Sequence, residues 1–302
     1  MSWAAHQFEI YAVQAHLPQK MRRRVSFFAI FFGDFTPDFL AKFWVYGITI
    51  NGVHYGAKVP QQWHRGWPGM GPTHTLSVGI LVGLGLWFWT RNRSWTVGYV
   101  LGFAAHAITD VNDSVGTMLL FPVTTLNWTI GTWKYAATIE GGKYLDAAAY
   151  YSSYGLVMDV FWLAVVLASW RVLTREYWRT EIVPADPHAW SWLGRWFDER
   201  GLLAIYRGVF FYGVCRMVAW TTWAHALARP VIEGVERRGY PMDWSWGGPW
   251  WIAERRLASV PVWMVVPAAL GMLALVYAVL GRLWEPMGRA EARRRESRLS
   301  RR

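Results

Sequence analysis

The hydrophobic pattern divides the chain into one short amphipathic segment and six longer apolar runs. In residues 4–17 the apolar side chains recur at helical spacing, which predicts an amphipathic helix that ends at Pro18. The apolar runs lie at residues 25–50, 76–90, 95–111, 156–173, 202–227 and 257–284. The pattern therefore predicts an all-α fold with about 5–6 membrane helices and additional short amphipathic helices.

The last apolar run decides between a large soluble protein and a polytopic membrane protein. Residues 257–281 form a stretch of 25 residues without a charge, whereas about 20 apolar residues are enough to cross a bilayer. The composition agrees, because only 17% of the residues are charged and the chain holds 23 Trp, a residue that concentrates at membrane–water interfaces. We therefore expect an integral membrane protein that is surrounded by membrane lipid.

Charge and cysteine content narrow the expected partners and organisation. The formal charge of +11 comes from short Arg and Lys clusters, which in a membrane protein mark cytoplasmic ends facing anionic lipid. No basic stripe alternates with aromatic residues, so no nucleic-acid partner is expected. The single Cys215 excludes an internal disulfide and a Cys-rich zinc site. Three regions are predicted: residues 1–155 with the candidate chemistry, residues 156–288 with further membrane helices and a Trp-rich connector, and a basic, disordered tail at 289–302.

The stretch with the clearest chemical pattern is an apolar helix that ends in His106-Ala-Ile-Thr-Asp110. Residues four apart lie on one helix face, so this imidazole and this carboxylate can point at the same place, and Asp113 lies close to that face. Such a pair forms half of a typical divalent metal site. The alternative is structural, with His106 as a buried core residue and Asp110 as a helix cap.

Three other segments place His or Asp beside apolar runs. Asp34 and Asp38 interrupt the run at 25–50, and a charge at that depth in a membrane is functional by default. His74 precedes the run at 76–90, and His6 lies in the first amphipathic segment. The alternatives are that Asp34 caps a helix and that His74 lies at the membrane interface.

Two hairpins would bring these residues to one end of the molecule. If residues 4–50 turn at the basic cluster 20–24 and residues 75–111 turn at 91–93, every candidate lies opposite the basic turns. The pairs Gly79/Gly83 and Gly98/Gly102 predict close packing of the second hairpin. The candidate metal ligands are His6, Asp34, Asp38, His74, His106 and Asp110. A His/Asp set favours zinc, with Mn or Fe as alternatives, and six ligands allow one or two ions with a bridging carboxylate.

Several motifs in residues 4–125 occur in the same order as in a known family. They are Ala5-His6-Gln7, Gly33-Asp34-Phe-Thr-Pro37-Asp38, His64-Arg65-Gly66 with Thr73-His74-Thr75, Gly102-Phe-Ala-Ala-His106-Ala-Ile-Thr-Asp110, and Leu119-Leu120-Phe121-Pro122. This set resembles the membrane-bound, predicted metal-dependent hydrolases of bacteria, which are themselves distantly similar to zinc-dependent phospholipase C.

The resemblance implies a membrane-embedded hydrolase that acts on a phosphoester or another ester of a small-molecule or lipid-linked substrate. It places His64 and Arg65 in the catalytic set, where Arg65 would hold a phosphate oxygen. Asp34 or Asp113 would serve as the general base. The alternative function is a non-catalytic membrane protein, a scaffold or an ion or solute pathway. Its polar groups would be structural, and in either case Asp159 would pair with Arg207 or Arg216.

The basic clusters also predict an orientation. Placing them all in the cytoplasm puts the candidate site at the outer face of what the resemblance implies is a bacterial cytoplasmic membrane. Residues 112–155 would then form an outer loop over the site.

Overall fold

The fold is helical, as predicted. The computed structural model describes residues 4–46, 48–55, 72–112, 117–124, 126, 128, 130, 147, 150–152, 155–228 and 261–300. Two short strands also lie within these ranges, β1 (Ile48–Ile50) and β2 (Val53–Tyr55). They pair antiparallel with Thr49 opposite His54.

The described residues form a series of α-helices in chain order. They are α1 Ala5–Ala15, α2 Gln19–Arg22, α3 Phe27–Tyr46, α4 Leu76–Thr90, α5 Arg93–Thr109, α6 Leu156–Ala168, α7 Arg175–Tyr177, α8 Pro187–Leu193, α9 Glu199–Trp223 and α10 Val262–Leu299. Two 3₁₀ turns flank the helices of the second predicted hairpin, at Pro72–His74 and Asp110–Asn112. The region predicted as a disordered tail differs from the expectation, because α10 continues without interruption to Leu299.

Local capping sets the ends of the second hairpin. Thr75 accepts a hydrogen bond from the backbone N–H of Val78 and starts α4, and Asn92 does the same for Trp95 at the start of α5. Arg91 has a left-handed backbone with φ of 52° at the end of α4. Because only two residues separate α4 from α5, the helices run antiparallel, as the hairpin prediction required.

Helix α5 lies at the centre of the bundle, and glycines let its neighbours approach closely. A methyl group at Gly102 would overlap the carbonyl oxygen of Ile30, and one at Gly33 would overlap the carbonyl oxygen of Tyr99. The predicted small-residue pair on α5 therefore packs against α3, not against α4. The glycines of α4 instead receive side chains of α5, with Phe103 facing Gly79.

The helices give the bundle two chemically distinct ends. We call the end that holds His6, Asp34, Asp38, His74, His106 and Asp110 the ligand end. The opposite end, the basic end, holds the first basic turn and the start of α5. There Lys20 donates to the carbonyl of Gly281 over 3.3 Å, and Arg93 donates to the carbonyl of Trp284 over 3.1 Å. The two hairpins thus turn at the same end of the molecule.

Two described helices are long and apolar enough to cross a membrane, at Glu199–Ala226 and Trp263–Ser297. Both correspond to predicted runs, but they are fewer than the 5–6 membrane helices expected. Helices α4 and α6 are apolar but have only 15 and 13 residues, about 22 and 20 Å at 1.5 Å per residue. Helix α3 has 20 residues but carries Asp34, Asp38 and Lys42 within its apolar sequence.

The apolar faces of the two long helices are largely exposed. Phe211 and Val218 on α9, and Leu270 and Leu275 on α10, are each more than half exposed. In each helix, only 17% of the most apolar 18-residue stretch is buried. The core helix of a soluble protein is mostly buried, so these faces need a covering that the described residues do not supply.

Candidate metal centre

All six predicted metal ligands lie together at the ligand end. His6 comes from the first turn of α1, Asp34 and Asp38 come from successive turns of α3, and His106 comes from the last turn of α5. The 3₁₀ turns beside α4 and α5 supply His74 and Asp110. Five of the six are 5% exposed or less, and the side chain of Asp38 is 13% exposed.

Two imidazole nitrogens each lie within 4.0 Å of the same two carboxylate oxygens, and we call these four atoms the four-donor set. His74 Nε2 lies 3.7 Å from Asp38 Oδ1 and 3.5 Å from Asp110 Oδ2. His106 Nε2 lies 4.0 and 3.5 Å from the same two oxygens. Ligands that share a tetrahedral zinc ion at bond lengths of about 2.1 Å are separated by about 3.4 Å. Asp38, His74 and His106 could therefore hold one cation, and Asp110 Oδ2 lies 3.5 Å from both nitrogens, where it can join them.

A second group of ionisable side chains adjoins this set and could also hold a cation, formed by His6, Glu9, Asp34 and His106. The His6 ring stacks on the His106 ring at 3.8 Å. Asp34 Oδ1 lies 3.9 Å from His6 Nδ1 and 3.8 Å from His106 Nδ1. The other oxygen of Asp110, Oδ1, lies 3.5 Å from His6 Nε2. Asp110 thus faces both groups, as expected of a carboxylate that bridges two ions.

Glu9 is a member of the site that the sequence reasoning missed. It is fully buried, and its Oε1 lies 2.5 Å from His6 Nδ1. Burial raises the pKa of Glu9, but the neighbouring His6 together with hydrogen bonds from Asp34 and Thr109 outweighs this effect and leaves the pKa below its usual value. The signal was present in the sequence, because His6 and Glu9 are three residues apart on one face of an otherwise apolar helix.

Asp159 holds the start of α1 in place. Its carboxylate accepts hydrogen bonds from the backbone N–H groups of Ala4 and Ala5, the latter at 2.8 Å, and from the hydroxyl of Tyr150. These backbone groups would otherwise lack a partner at the helix start. Of the two arginines predicted to pair with it, Arg207 instead donates to the carbonyl of Leu173. Asp159 therefore anchors the turn that carries His6.

The remaining predicted catalytic residues, His64, Arg65 and Asp113, lie outside the described residues. The described residues therefore include all six candidate metal ligands and one of the two candidate general bases, Asp34.

The composition of the site fits a divalent metal. Glu9, Asp34, Asp38 and Asp110 bring four carboxyl groups into a region with three imidazoles. Burying ionised groups is costly unless an opposite charge compensates them. A divalent cation supplies that charge, and imidazole with carboxylate is a donor set that zinc, manganese and iron accept.

Comparisons of the chain with protein-family models, with curated proteins and with solved structures found no match. The interpretation of the site therefore depends on its own residues and on the motif resemblance.

Proposed function

We propose that this protein is a membrane-embedded, metal-dependent hydrolase that cleaves a phosphoester or another ester of a lipid-like substrate. The observation that carries the proposal is the four-donor set, in which His74 and His106 each lie 3.5 Å from the same oxygen of Asp110. The ordered motifs of residues 4–125 support it. Zinc is the ion that this donor set favours, with manganese or iron as alternatives.

Each side chain of the site then has a chemical role. Asp38, His74, His106 and Asp110 would hold one ion, and His6 with Asp34 would contribute to a second. The metal would polarise the scissile group and lower the pKa of water. If one ion is bound, Asp34 is available to accept the proton of the attacking water; if two are bound, Asp113 takes that role. Arg65 would bind a phosphate oxygen through its planar guanidinium.

The surface next to the site supports a lipid-linked substrate. Asp38 is the most exposed of the six candidate ligands, and the rings of Phe35 and Phe39 are about half exposed on the same helix. These rings lie 5.7 Å apart and form a continuous aromatic strip along α3. A hydrocarbon chain on this strip would place its ester group near Asp38.

The membrane arrangement is part of the proposal. Helices α9 and α10 would span the bilayer, and α3, α4, α5 and α6 would complete a set of six membrane helices. The shorter members would be accommodated by local thinning of the bilayer or by shelter within the bundle. With the basic end in the cytoplasm, the candidate site lies at the outer face.

Metal analysis of the detergent-purified protein tests the function. We expect one or two zinc equivalents in the wild type and loss of most of the metal in His106→Ala. The exposed His188, replaced by Ala, is the control and should retain the metal. Hydrolysis of a chromogenic phosphoester should follow the metal content. A wild-type protein that takes up no zinc, manganese or iron would contradict the proposal and favour the non-catalytic alternative.

Cysteine labelling tests the orientation separately. In a Cys215→Ser background, Ser114→Cys and Ser297→Cys are treated on intact cells with a membrane-impermeant thiol reagent. We expect labelling at position 114 only. Labelling at position 297 alone would place the site in the cytoplasm.

A further inference from the structure

A line of hydrogen bonds crosses three helices and ends at His6. Trp162 Nε1 on α6 donates to Thr109 Oγ1 on α5 over 2.9 Å. Thr109 Oγ1 donates to Glu9 Oε2 on α1 over 2.5 Å, and Glu9 Oε1 lies 2.5 Å from His6 Nδ1. Glu9 and Thr109 are at most 1% exposed. Bulk water therefore does not compete for these bonds.

Elementary hydrogen-bond chemistry sets the direction of the line. An indole N–H can only donate, so the oxygen of Thr109 accepts it and the single hydroxyl proton of Thr109 goes to Glu9. Glu9 Oε2 is therefore an acceptor. A carboxylate at Glu9 then accepts the Nδ1 proton of His6. Neutral His6 is left with a lone pair on Nε2, the nitrogen that lies 3.5 Å from Asp110 Oδ1.

We propose that Trp162, Thr109 and Glu9 form a positioning relay that fixes the ring orientation and the tautomer of His6 for metal binding. The relay builds on the proposed function. Both oxygens of Glu9 take part in it, one toward His6 Nδ1 and one toward Thr109, so with the relay in place Glu9 and His6 Nδ1 are not metal ligands. His6 then binds a cation through Nε2. The relay also couples α6, from the predicted second region, to the site in the first.

The relay makes a specific prediction for Glu9→Gln. Thr109 still needs an oxygen acceptor, so the amide oxygen of Gln faces Thr109 and the amide N–H₂ faces His6. That amide donates to His6 Nδ1 and forces the ring proton onto Nε2, where it blocks metal binding. A side chain of nearly unchanged shape thereby selects the wrong tautomer.

The relay is tested by zinc affinity, measured by competition with a chelator in detergent. Thr109→Val removes the hydroxyl but keeps the shape, and we expect zinc binding to weaken by about 10- to 100-fold, the usual effect of losing a partner of a ligating imidazole. Thr109→Ser restores the hydroxyl and should bind nearly as wild type. Glu9→Gln should weaken binding at least as much as Thr109→Val.

Thr96→Val is the matched control. Thr96 is a buried residue of the same helix, and its hydroxyl has no hydrogen-bond partner among the described residues. We expect wild-type zinc affinity and a metal-free thermal stability no lower than that of the wild type, because no hydrogen bond is lost. Wild-type zinc affinity in both Thr109→Val and Glu9→Gln would overturn the relay alone. A wild-type protein that binds no divalent metal would overturn the proposed function and the relay together.

Discussion

The two ends of the bundle use charged side chains in opposite ways. At the ligand end, Glu9 and Asp110 are fully buried among imidazoles from several helices. At the basic end, Arg23 pairs with Glu181 at 3.1 Å although the Arg23 side chain is 66% exposed. Exposed ion pairs of this kind add little to stability, whereas buried carboxylates are retained only when a partner offsets their desolvation. Burial therefore separates the two ends more clearly than charge does.

The same contrast between the two ends appears in two carboxylates that cap helix starts. Asp159 caps α1 at the ligand end, and Asp186 accepts from the backbone N–H of Phe28 at the start of α3. Both are buried, but only Asp159 holds backbone groups, those of Ala4 and Ala5, that lie within two residues of a candidate metal ligand, His6. A cap near the ligand end thus positions chemistry, whereas a cap at the basic end supports the fold.

The largest expected difference follows from making one substitution at both ends. Asp110→Asn removes the negative charge and replaces one of the two oxygens with an N–H₂ group that cannot bind a metal, so most of the bound zinc should be lost. Asp186→Asn keeps an acceptor at the cap and should retain wild-type metal content. Elemental analysis of both purified variants measures the contrast, and equal metal loss would show that the site is not specific to the ligand end.

The next effect comes from the contact between α3 and α5. In Gly102→Ala the new methyl group overlaps the carbonyl of Ile30, so the helices must separate, at a cost of about 1–3 kcal/mol. Separation also moves Asp34 away from His106. We expect lower thermal stability together with weaker zinc binding.

Gly271→Ala on α10 is the control for that prediction, because nothing lies within 4 Å of the added methyl group. Alanine also favours helix by up to about 1 kcal/mol. Its stability should be unchanged or higher, and a loss equal to that of Gly102→Ala would contradict the steric explanation.

A smaller effect should appear as a pH dependence of the thermal stability, caused by Asp186 at the basic end. Burial raises the pKa of Asp186, although hydrogen bonds from Ser26 and from the start of α3 oppose the shift. The folded state therefore holds this proton more tightly than the unfolded state. The contribution of Asp186 to stability is complete below its pKa in the unfolded state. It is lost as the pH rises through its pKa in the folded state.

Thermal unfolding of the wild type and of Asp186→Asn from acidic to neutral pH measures this effect. Because Asn does not titrate, the stability of the wild type relative to Asp186→Asn should fall as the pH rises. A relative stability that increases with pH would contradict the assignment.

The smallest effect is expected from Glu199→Gln, which disrupts the surface pairs with Arg175 and Arg179. Both arginine side chains are more than half exposed, so water hydrates their charges when the pairs are lost. The variant should unfold at the wild-type temperature and bind zinc normally. A clear loss of either property would mean that the basic end contributes more than its exposure suggests.

Much of the helical fold was predictable because it depends on short-range signals. Apolar runs located α4, α5, α6, α9 and α10, and the two-residue turn at Arg91 specified an antiparallel pair. Fewer described helices are long enough to span a membrane than the 5–6 expected, because apolar composition does not specify where a helix ends. Asp159 was not assigned to the site, since an isolated acid in an apolar segment does not reveal its partner, whereas Glu9 was overlooked although its spacing from His6 puts both on one helix face.

The sequence alone determined which side chains could form the site and that His106 and Asp110 share a helix face, because a spacing of four residues is a property of the helix itself. Only the tertiary structure decided which faces meet. It placed Gly102 against α3 and not against α4, brought Asp34 and Asp38 beside His106, and linked Trp162 to His6 through Thr109 and Glu9. These contacts depend on how side chains of distant segments fit together, and helical periodicity carries no information about that fit.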